Sequence, residues 1–128
     1  MGHAKMRSLN ILVADDNDDG KIILERFLKR AGHAPTFVSD GKACVEKALA
    51  GDFDVLLLDM NMPVLTGWDA AQQIRVRKTY SELPIIAFTA YAMQGDREKC
   101  LDAGCSDYLS KPINFAELSA LLAKYGDR

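Results

Sequence analysis

The chain has 128 residues, of which 48% are apolar and 27% charged, and its formal net charge is −2. This length suits one domain with a real core, and a weakly acidic chain without basic blocks lacks the electrostatic footprint of a nucleic-acid-binding protein. No apolar run approaches the ~20 residues of a membrane span, so we expect this domain to make no membrane contact. The 3 cysteines include no CxxC pair, which favours reduced thiols and a cytoplasmic location.

Short apolar segments and amphipathic segments alternate along the chain. The predicted strands are 9–14, 35–38, 53–58, 83–89 and 107–110. The predicted helices are 18–31, 41–49, 66–78, 95–103 and a last helix that starts at 114. This alternation predicts an α/β fold with a single doubly wound, five-stranded parallel sheet in the order 2-1-3-4-5, that is, a flavodoxin-like (βα)5 domain. We assign 9–126 to this domain and 1–8 to an N-terminal tail, consistent with an expression remnant.

Two helices carry more specific predictions. The first helix has an apolar pattern at helical spacing, formed by Ile23, Leu24, Phe27, Leu28 and Ala31. The third begins with the spacing of a capping box, in which Asp69 stands where a glutamate is usual, three residues after Thr66.

The run 55–58 organises the chain, because it is apolar without alternation and leads straight into Asp59. Pro63 and Gly67 then break the pattern, as expected after a strand that is buried on both faces. Strand 1 ends in the same way, at Asp15-Asp16. In the predicted order strands 1 and 3 flank the switch point of the sheet, where ligands bind beyond the carboxyl ends of the strands. The pattern therefore brings three carboxylates together.

Carboxylates this close repel one another, so we expect a cation among them. His3 and His33 are the only histidines, and neither follows a strand. Oxygen ligands alone select a hard cation, and Mg²⁺ typically binds one or two carboxylates together with water and substrate phosphate. Such an open site suits phosphoryl transfer.

Two further strand ends supply groups that fit this chemistry. Thr89 closes strand 4 with a hydroxyl, and Lys111 follows strand 5 with an ammonium group. Pro112 favours extended backbone at Lys111, which helps to direct that side chain toward the same crevice. With Asp59 as the nucleophile, the expected product is an aspartyl phosphate.

Each residue also has an ordinary interpretation. Asp15 or Asp16 could cap the first helix, Thr89 could be a β-branched strand end, and Lys111 could be a solvated loop lysine. Tyr108 could be an aromatic side chain packed on an edge strand. Only the joint pattern favours a site.

That joint pattern closely resembles the receiver domain of two-component response regulators. The resemblance extends from Leu9 to Tyr125 and rests on Asp15-Asp16, Asp59, Met62-Pro63, Gly67, Thr89-Ala90 and Lys111-Pro112. It implies that Asp59 accepts a phosphoryl group from a phosphohistidine of a sensor histidine kinase or histidine phosphotransfer domain. It also implies that Asp16, Asp59 and the backbone carbonyl of Asn61 ligate Mg²⁺, with Asp15 acting through water.

The resemblance assigns further roles beside the acceptor. Thr89 and Lys111 would bind phosphoryl oxygens, and Tyr108 would turn inward as the switch aromatic when Thr89 moves. Phosphorylation would repack the surface of helix 4, strand 5 and helix 5, which could also support dimerisation. Asn61 and Tyr91 flank the site and by the resemblance tune the lifetime of the phosphate, in a direction that the sequence leaves open.

Several functions compete at this point. The segment 90–113 looks most like receivers carried by hybrid sensor histidine kinases, and a free-standing single-domain regulator is the alternative. Because the chain ends soon after the last helix, we expect no DNA-binding output domain in it. A magnesium-dependent aspartyl phosphatase would need a second acid at Asn61 and its nucleophile on the first strand. A flavodoxin-like binding module ranks last, because residues 15–19 would repel a phosphate without a metal.

Overall fold

The computed structural model describes residues 8–62, 64–90 and 95–126. The tail before Ser8 therefore lies outside the described residues, as do Pro63 and Tyr91. None of the helices in these ranges has the length and apolar character needed to cross a membrane.

Five parallel strands form one sheet, and a helix follows each strand. The strands are β1 (Asn10–Ala14), β2 (Ala34–Val38), β3 (Val55–Asp59), β4 (Ile85–Thr89) and β5 (Asp107–Ser110). The helices are α1 (Asp18–Arg30), α2 (Gly41–Ala50), α3 (Gly67–Arg77), α4 (Asp96–Asp102) and α5 (Phe115–Gly126). The strand order is β2-β1-β3-β4-β5, and every neighbouring pair is parallel. This confirms the predicted α/β fold and its topology.

The core lies on both faces of the sheet, because helices cover both. Every residue of β3 and β4 is buried, as expected for central strands of a parallel sheet. Leu56 and Leu58 pack in one apolar cluster with α2, α3 and α4, whereas Val55 and Leu57 pack in the other with α1 and α5. The alternation of side chains along each strand thus fixes which helices it contacts.

The apolar face predicted for α1 is only partly confirmed. Leu24 and Leu28 are buried, but Ile23 is 57% exposed and Ala31 caps the helix at its exposed end. Helical spacing predicts which residues share a side, but the width of the buried stripe depends on the neighbouring elements. Ile23 lies at the margin of that stripe, beside Phe115 of α5.

The start of α3 is capped, but not by the full reciprocal box. The Thr66 hydroxyl accepts a hydrogen bond from the Asp69 backbone N–H at 3.3 Å, and it donates one to the Asp69 carboxylate at 3.2 Å. The aspartate is one methylene shorter than a glutamate, so its carboxylate binds the cap hydroxyl instead of reaching the backbone beyond it. Gly67 follows because a Cβ there would lie 2.6 Å from the Asp59 carbonyl oxygen.

The half-buried Arg75 forms hydrogen bonds to the loops that precede β4 and β5. The Arg75 guanidinium of α3 donates hydrogen bonds to the carbonyl oxygens of Thr79 at 3.0 Å, Leu83 at 2.7 Å and Gly104 at 2.7 Å. It also lies 3.3 Å from the hydroxyl oxygen of Ser106, which accepts a bond from the first N–H of β4. Gly104 has a φ of +112°, and a Cβ there would lie 2.6 Å from the arginine stem.

Candidate functional site

Three acidic side chains converge at the carboxyl ends of β1 and β3, as the sequence predicts. Asp15 and Asp59 are 4% and 3% exposed, whereas Asp16 is open to solvent. One carboxylate oxygen from each of the three lies within 4.8 Å of the other two. Two of the three carboxylates are therefore buried, and the third is exposed to water.

The neighbouring groups of this cluster shift the pKa of the Asp15 carboxyl. Burial raises the pKa of the Asp15 carboxyl, and the neighbouring Asp59 adds to this effect. The backbone N–H of Asn17 and the ammonium of Lys111 act in the opposite direction. Among the described residues the cluster consists of three carboxylates with the Lys111 ammonium beside them, so its formal charge is negative and favours the binding of a cation.

Asp59 is fixed through both of its carboxylate oxygens. The backbone N–H of Asn61 donates to Oδ1 at 2.9 Å, and the Lys111 Nζ donates to Oδ2 at 3.2 Å. Lys111 is also 4.0 Å from Asp15 Oδ1, and its backbone N–H bonds the Thr89 carbonyl at 2.8 Å, which places it beside the end of β4. The Lys111–Pro112 peptide bond is cis.

Thr89 lies at the end of β4, one position beyond the residue that pairs with Asp59, and it is 1% exposed. Its Oγ1 accepts a hydrogen bond from the side-chain amide of Asn61 at 3.1 Å. The strand ends thus bring Asp59, Thr89 and Lys111 to one crevice. The sequence analysis named Asn61 because it lies two residues after Asp59, but it did not predict the contact between the Asn61 side chain and Thr89.

The helix-cap alternative for the two adjacent acids receives no support from α1. Asn17 is the cap residue, and its side chain accepts a hydrogen bond from the Gly20 N–H at 3.1 Å. Asp15 instead accepts the Asn17 N–H at 2.9 Å, which turns the chain at the end of β1. Both carboxylates are consequently left facing the cluster rather than the helix.

Tyr108 lies on β5, opposite Ala87 of β4, and is half-buried against the apolar cluster of α2, α3 and α4. Burial raises the pKa of its phenol, with the carboxylate of Asp96 as the next cause. Its position beside the strand that ends at Thr89 is compatible with the switch role, which stays a prediction.

A groove that the sequence did not predict opens directly from the acidic cluster. It has a volume of about 290 Å³ and runs from Asp15 and Lys111 over the apolar side chains of Ile23, Ile113 and Phe115. Ile22 and Ile23 are 51% and 57% exposed. The available signal was the three consecutive apolar residues 22–24 in an amphipathic helix, because one buried stripe cannot hold all three and only Leu24 is buried.

The donor set fits a hard divalent cation. It consists of carboxylate oxygens, and Asp16 leaves the site open to water. Mg²⁺ favours one or two carboxylates with several waters retained, so two of these three acids suffice as direct ligands and the third can act through water.

Comparison with known proteins agrees with this geometry. The sequence profile of the response regulator receiver domain matches residues 11–123. Hybrid signal transduction histidine kinase G of Dictyostelium discoideum is 37% identical over 94% of this chain, a stretch that makes up 4% of that protein. The aerobic respiration control sensor protein ArcB of Escherichia coli K12 is 32% identical over 94% of this chain and 15% of its own length. The chain therefore spans a small share of these curated relatives.

Solved structures show the same fold. The receiver domain of the sensor histidine kinase PA1611 from Pseudomonas aeruginosa PAO1, crystallised with magnesium in its active-site cleft, is 39% identical, with a TM-score of 0.86 over 95% of this chain and 100% of its own. The receiver domain of the Saccharomyces cerevisiae response regulator Ssk1, solved with the histidine phosphotransfer protein Ypd1, is 31% identical, with a TM-score of 0.87 over 95% of this chain and 91% of its own. The profile match, the sequence relatives and the strand topology agree, and the chain belongs to the receiver domain family of two-component signalling.

Proposed function

We propose that this receiver domain accepts a phosphoryl group on Asp59 from a phosphohistidine of a histidine kinase or a histidine phosphotransfer domain. The observation that carries the proposal is the Asp59 carboxylate, which is buried beside two other acids and lies 3.2 Å from the Lys111 ammonium. In the transfer, an Asp59 oxygen forms a bond to phosphorus while the phosphorus–nitrogen bond of the donor breaks. The electron pair of that bond leaves with the imidazole.

The Asp59 carboxylate is already held in place for the phosphoryl transfer. Hydrogen bonds from the Asn61 N–H and from Lys111 hold its two oxygens, so little reorientation is needed when the donor arrives. Lys111 also offsets the charge that accumulates on the phosphoryl oxygens. We assign Thr89 to the same oxygens, because its hydroxyl lies at the adjacent strand end.

The metal in this proposal is Mg²⁺, held by Asp16, Asp59 and the backbone carbonyl of Asn61, with Asp15 acting through water. When bound, it supplies positive charge opposite the transferring group. The carboxylate cluster and the magnesium in the related PA1611 receiver support this assignment. Lys111 alone leaves part of the negative charge of the cluster without compensation.

The groove beside the site supports a protein as the phosphoryl donor. A phosphohistidine must reach Asp59 from outside, and exposed apolar side chains at the mouth of a site favour contact with another protein over contact with water. The related Ssk1 receiver is bound to the phosphotransfer protein Ypd1. We extend that type of partner to this chain.

The proposed output surface consists of α4, β5 and α5, with Thr89 and Tyr108 as the switch residues. The Asp107 carboxylate of β5 connects these elements. Its Oδ1 lies 3.8 Å from Nη1 of Arg97 in α4, and its Oδ2 lies 3.8 Å from Nζ of Lys124 in α5. A phosphate that draws Thr89 and Lys111 toward Asp59 would shift the population toward a repacked surface. The same surface is our candidate for dimerisation.

The domain, which we place at 9–126, is proposed to be part of a cytoplasmic hybrid histidine kinase, because its curated relatives are much longer proteins of that type. A free-standing single-domain regulator is the alternative. In either case the domain catalyses only its own phosphorylation and slow dephosphorylation. Steady turnover of a small phosphomonoester would instead favour an aspartyl phosphatase.

Mass spectrometry tests the acceptor directly. The chain is incubated with acetyl phosphate and Mg²⁺, and the modified peptide is located. We expect one hydroxylamine-sensitive phosphate on the peptide that contains Asp59, and none in Asp59→Asn. Asp52→Asn is the matched control, because Asp52 is exposed and precedes the opposite end of β3. Labelling that persists in Asp59→Asn would move the acceptor to another residue.

A further inference from the structure

Two of the cysteines meet where α4 ends, in a part of the domain that the proposed phosphoryl transfer does not use. The Cys105 N–H donates to the Cys100 carbonyl at 3.0 Å, and the Gly104 N–H donates to the Leu101 carbonyl at 3.1 Å. Gly104 has a φ of +112°. Together these are the two hydrogen bonds and the left-handed residue of a Schellman motif, in which the side chains at the positions of Cys100 and Cys105 commonly pack together.

The two thiols are in contact with each other. Cys100 and Cys105 are 0% and 2% exposed, lie in the same apolar cluster and share a hydrogen bond between their side chains. That hydrogen bond lowers the pKa of the Cys100 thiol, and together with burial it raises the pKa of the Cys105 thiol. Cys100 is therefore the sulfur that ionises first, with Cys105 beside it as the hydrogen-bond donor.

This arrangement fits the geometry of a disulfide. A disulfide requires Cα atoms within about 7 Å of each other and side chains that face each other. The backbone hydrogen bond between Cys100 and Cys105 and the contact of their thiols both agree with this requirement. The two sulfurs can consequently be joined without a rearrangement of the fold.

The third cysteine lies in a different setting. Cys44 is buried within α2, which has 10 residues and is capped at its start by the side chain of Asp40. Burial, followed by the charge of Asp40, raises the pKa of the Cys44 thiol to about 12. A buried thiol that stays protonated is a poor nucleophile, so Cys44 provides an internal control for Cys100.

A buried thiol reacts only when the structure around it opens. α4 is the shortest helix among the described residues, with 7 residues of which only Cys100 is buried, and no side chain caps its start. A helix with so few buried contacts opens locally at a low cost in free energy. Opening of its last turn exposes both thiols together, because the same motif holds them.

We propose that Cys100 and Cys105 form a redox site, which hydrogen peroxide converts reversibly into an intramolecular disulfide across the end of α4. The Cys100 thiolate attacks one peroxide oxygen, the O–O bond breaks, and the released hydroxide takes up the proton that Cys100 lost. The Cys105 sulfur then attacks the sulfur of the Cys100 sulfenic acid. The S–S bond forms as the S–O bond breaks, and the second hydroxide leaves as water with the proton of Cys105. Two thiols thus lose two electrons, and one peroxide becomes two waters.

The disulfide would restrain the output surface that was assigned to α4, β5 and α5. Cys105 precedes β5 by two residues, and Tyr108 of β5 packs against the apolar cluster that contains both sulfurs. Oxidation therefore joins the end of α4 to the start of β5, and the redox state limits how far the surface can repack. This consequence rests on the proposed function, whereas formation of the disulfide does not. A transient disulfide of this kind is compatible with a reducing cytoplasm.

Mass spectrometry without reduction tests the redox site. The folded chain is treated with hydrogen peroxide, the remaining thiols are alkylated in urea, and the peptides are mapped with and without dithiothreitol. We expect the peptide that contains Cys100 and Cys105 to lose two hydrogens and to regain them with dithiothreitol. Cys100 should lose its thiol at least about tenfold faster than Cys44.

Two variants separate the roles of the thiols. Cys105→Ala should stop the reaction at a Cys100 sulfenic acid, which dimedone traps. Cys44→Ala is the matched control, because it removes the same atom from the same apolar cluster and should still form the disulfide. A second measurement compares the oxidised and reduced chains on titration with fluoroberyllate, an analogue of the phosphoryl group, at saturating Mg²⁺. The chemical-shift changes in α4 and β5 should be smaller in the oxidised chain, and dithiothreitol should restore them.

Several results would overturn the inference. A disulfide that contains Cys44, a disulfide between two chains, or intact thiols under conditions that oxidise glutathione completely would each exclude the redox site. An equal response of the oxidised and reduced chains to fluoroberyllate would exclude the restraint on the output surface. Failure of the proposed function is distinguishable, because a chain that neither binds fluoroberyllate nor carries phosphate on Asp59 would still form the disulfide.

Discussion

Replacing Asp16 with asparagine should weaken Mg²⁺ binding at least about tenfold. Asp16→Asn keeps the shape of the side chain and removes one charge from a cluster whose ligand oxygens lie within 4.8 Å of one another. Even at 4.8 Å, a doubly charged ion and a carboxylate attract by about 1.7 kcal/mol in a water-like dielectric. A coordinated ion lies closer than this, so the figure is a lower bound. The cost to folding should be small, because Asp16 is exposed.

Isothermal titration with MgCl₂ measures the effect, and urea unfolding with and without Mg²⁺ provides a second readout. Mg²⁺ raises the free energy of unfolding in proportion to how tightly it binds the folded chain. The increase on adding Mg²⁺ should therefore be smaller in Asp16→Asn. Asp19→Asn is the control, because it removes an equal charge from an exposed residue in the first turn of α1, outside the cluster. The ligand assignment would be refuted by unchanged Mg²⁺ affinity in Asp16→Asn, or by an equal loss in Asp19→Asn.

Three further predictions concern separate parts of the molecule. Lys111→Met removes the ammonium 3.2 Å from Asp59 and should reduce the chemical-shift changes that fluoroberyllate causes in α4, β5 and α5; a normal response would contradict its role. Burial lowers the pKa of His33, so protons bind the unfolded chain more readily, and the free energy of unfolding should fall as the pH drops below 6.5. His33→Gln should lose this component in urea titrations at several pH values, and an unaltered pH profile would count against it. Arg75→Met should lower the free energy of unfolding by about 2–4 kcal/mol, because it removes the hydrogen bonds to the carbonyls of Thr79, Leu83 and Gly104. Arg77 is exposed on the same helix, so Arg77→Met should change the free energy of unfolding little. Similar effects of the two variants would contradict this interpretation.

The sequence predicts the sheet and the convergence of the acids because both follow from short-range patterns. The continuous apolar run before Asp59 favours a strand buried on both faces, and the alternation of elements leaves few topologies. Carboxyl ends of parallel strands then share one edge, so the positions of Asp15, Thr89 and Lys111 in the chain already specify their proximity. The roles of these residues stay predictions until the variants are measured.

Other features depend on distances that sequence patterns do not contain. The exposure of Ile23 depends on where α5 packs against α1, and the Thr66 cap depends on the reach of one methylene. The contact of Asn61 with Thr89 depends on the turn directly after β3, which brings this side chain to the end of the neighbouring strand. The Arg75 guanidinium binds carbonyl oxygens both in the segment before β4 and in the loop before β5. An arginine in an amphipathic helix normally predicts only a solvated face.

The Arg75 contacts also bear on how this domain could be used as a sensor. One guanidinium joins the end of α3 to the loops that precede β4 and β5, so the amino edge of the sheet is braced across three segments. The opposite edge carries the acidic cluster, where Lys111 and Asn61 make the side-chain contacts between neighbouring strands. A fluorophore or an immobilising tether attached near the braced edge would leave the reactive edge free to respond, whereas the same label near Ile23 would obstruct it.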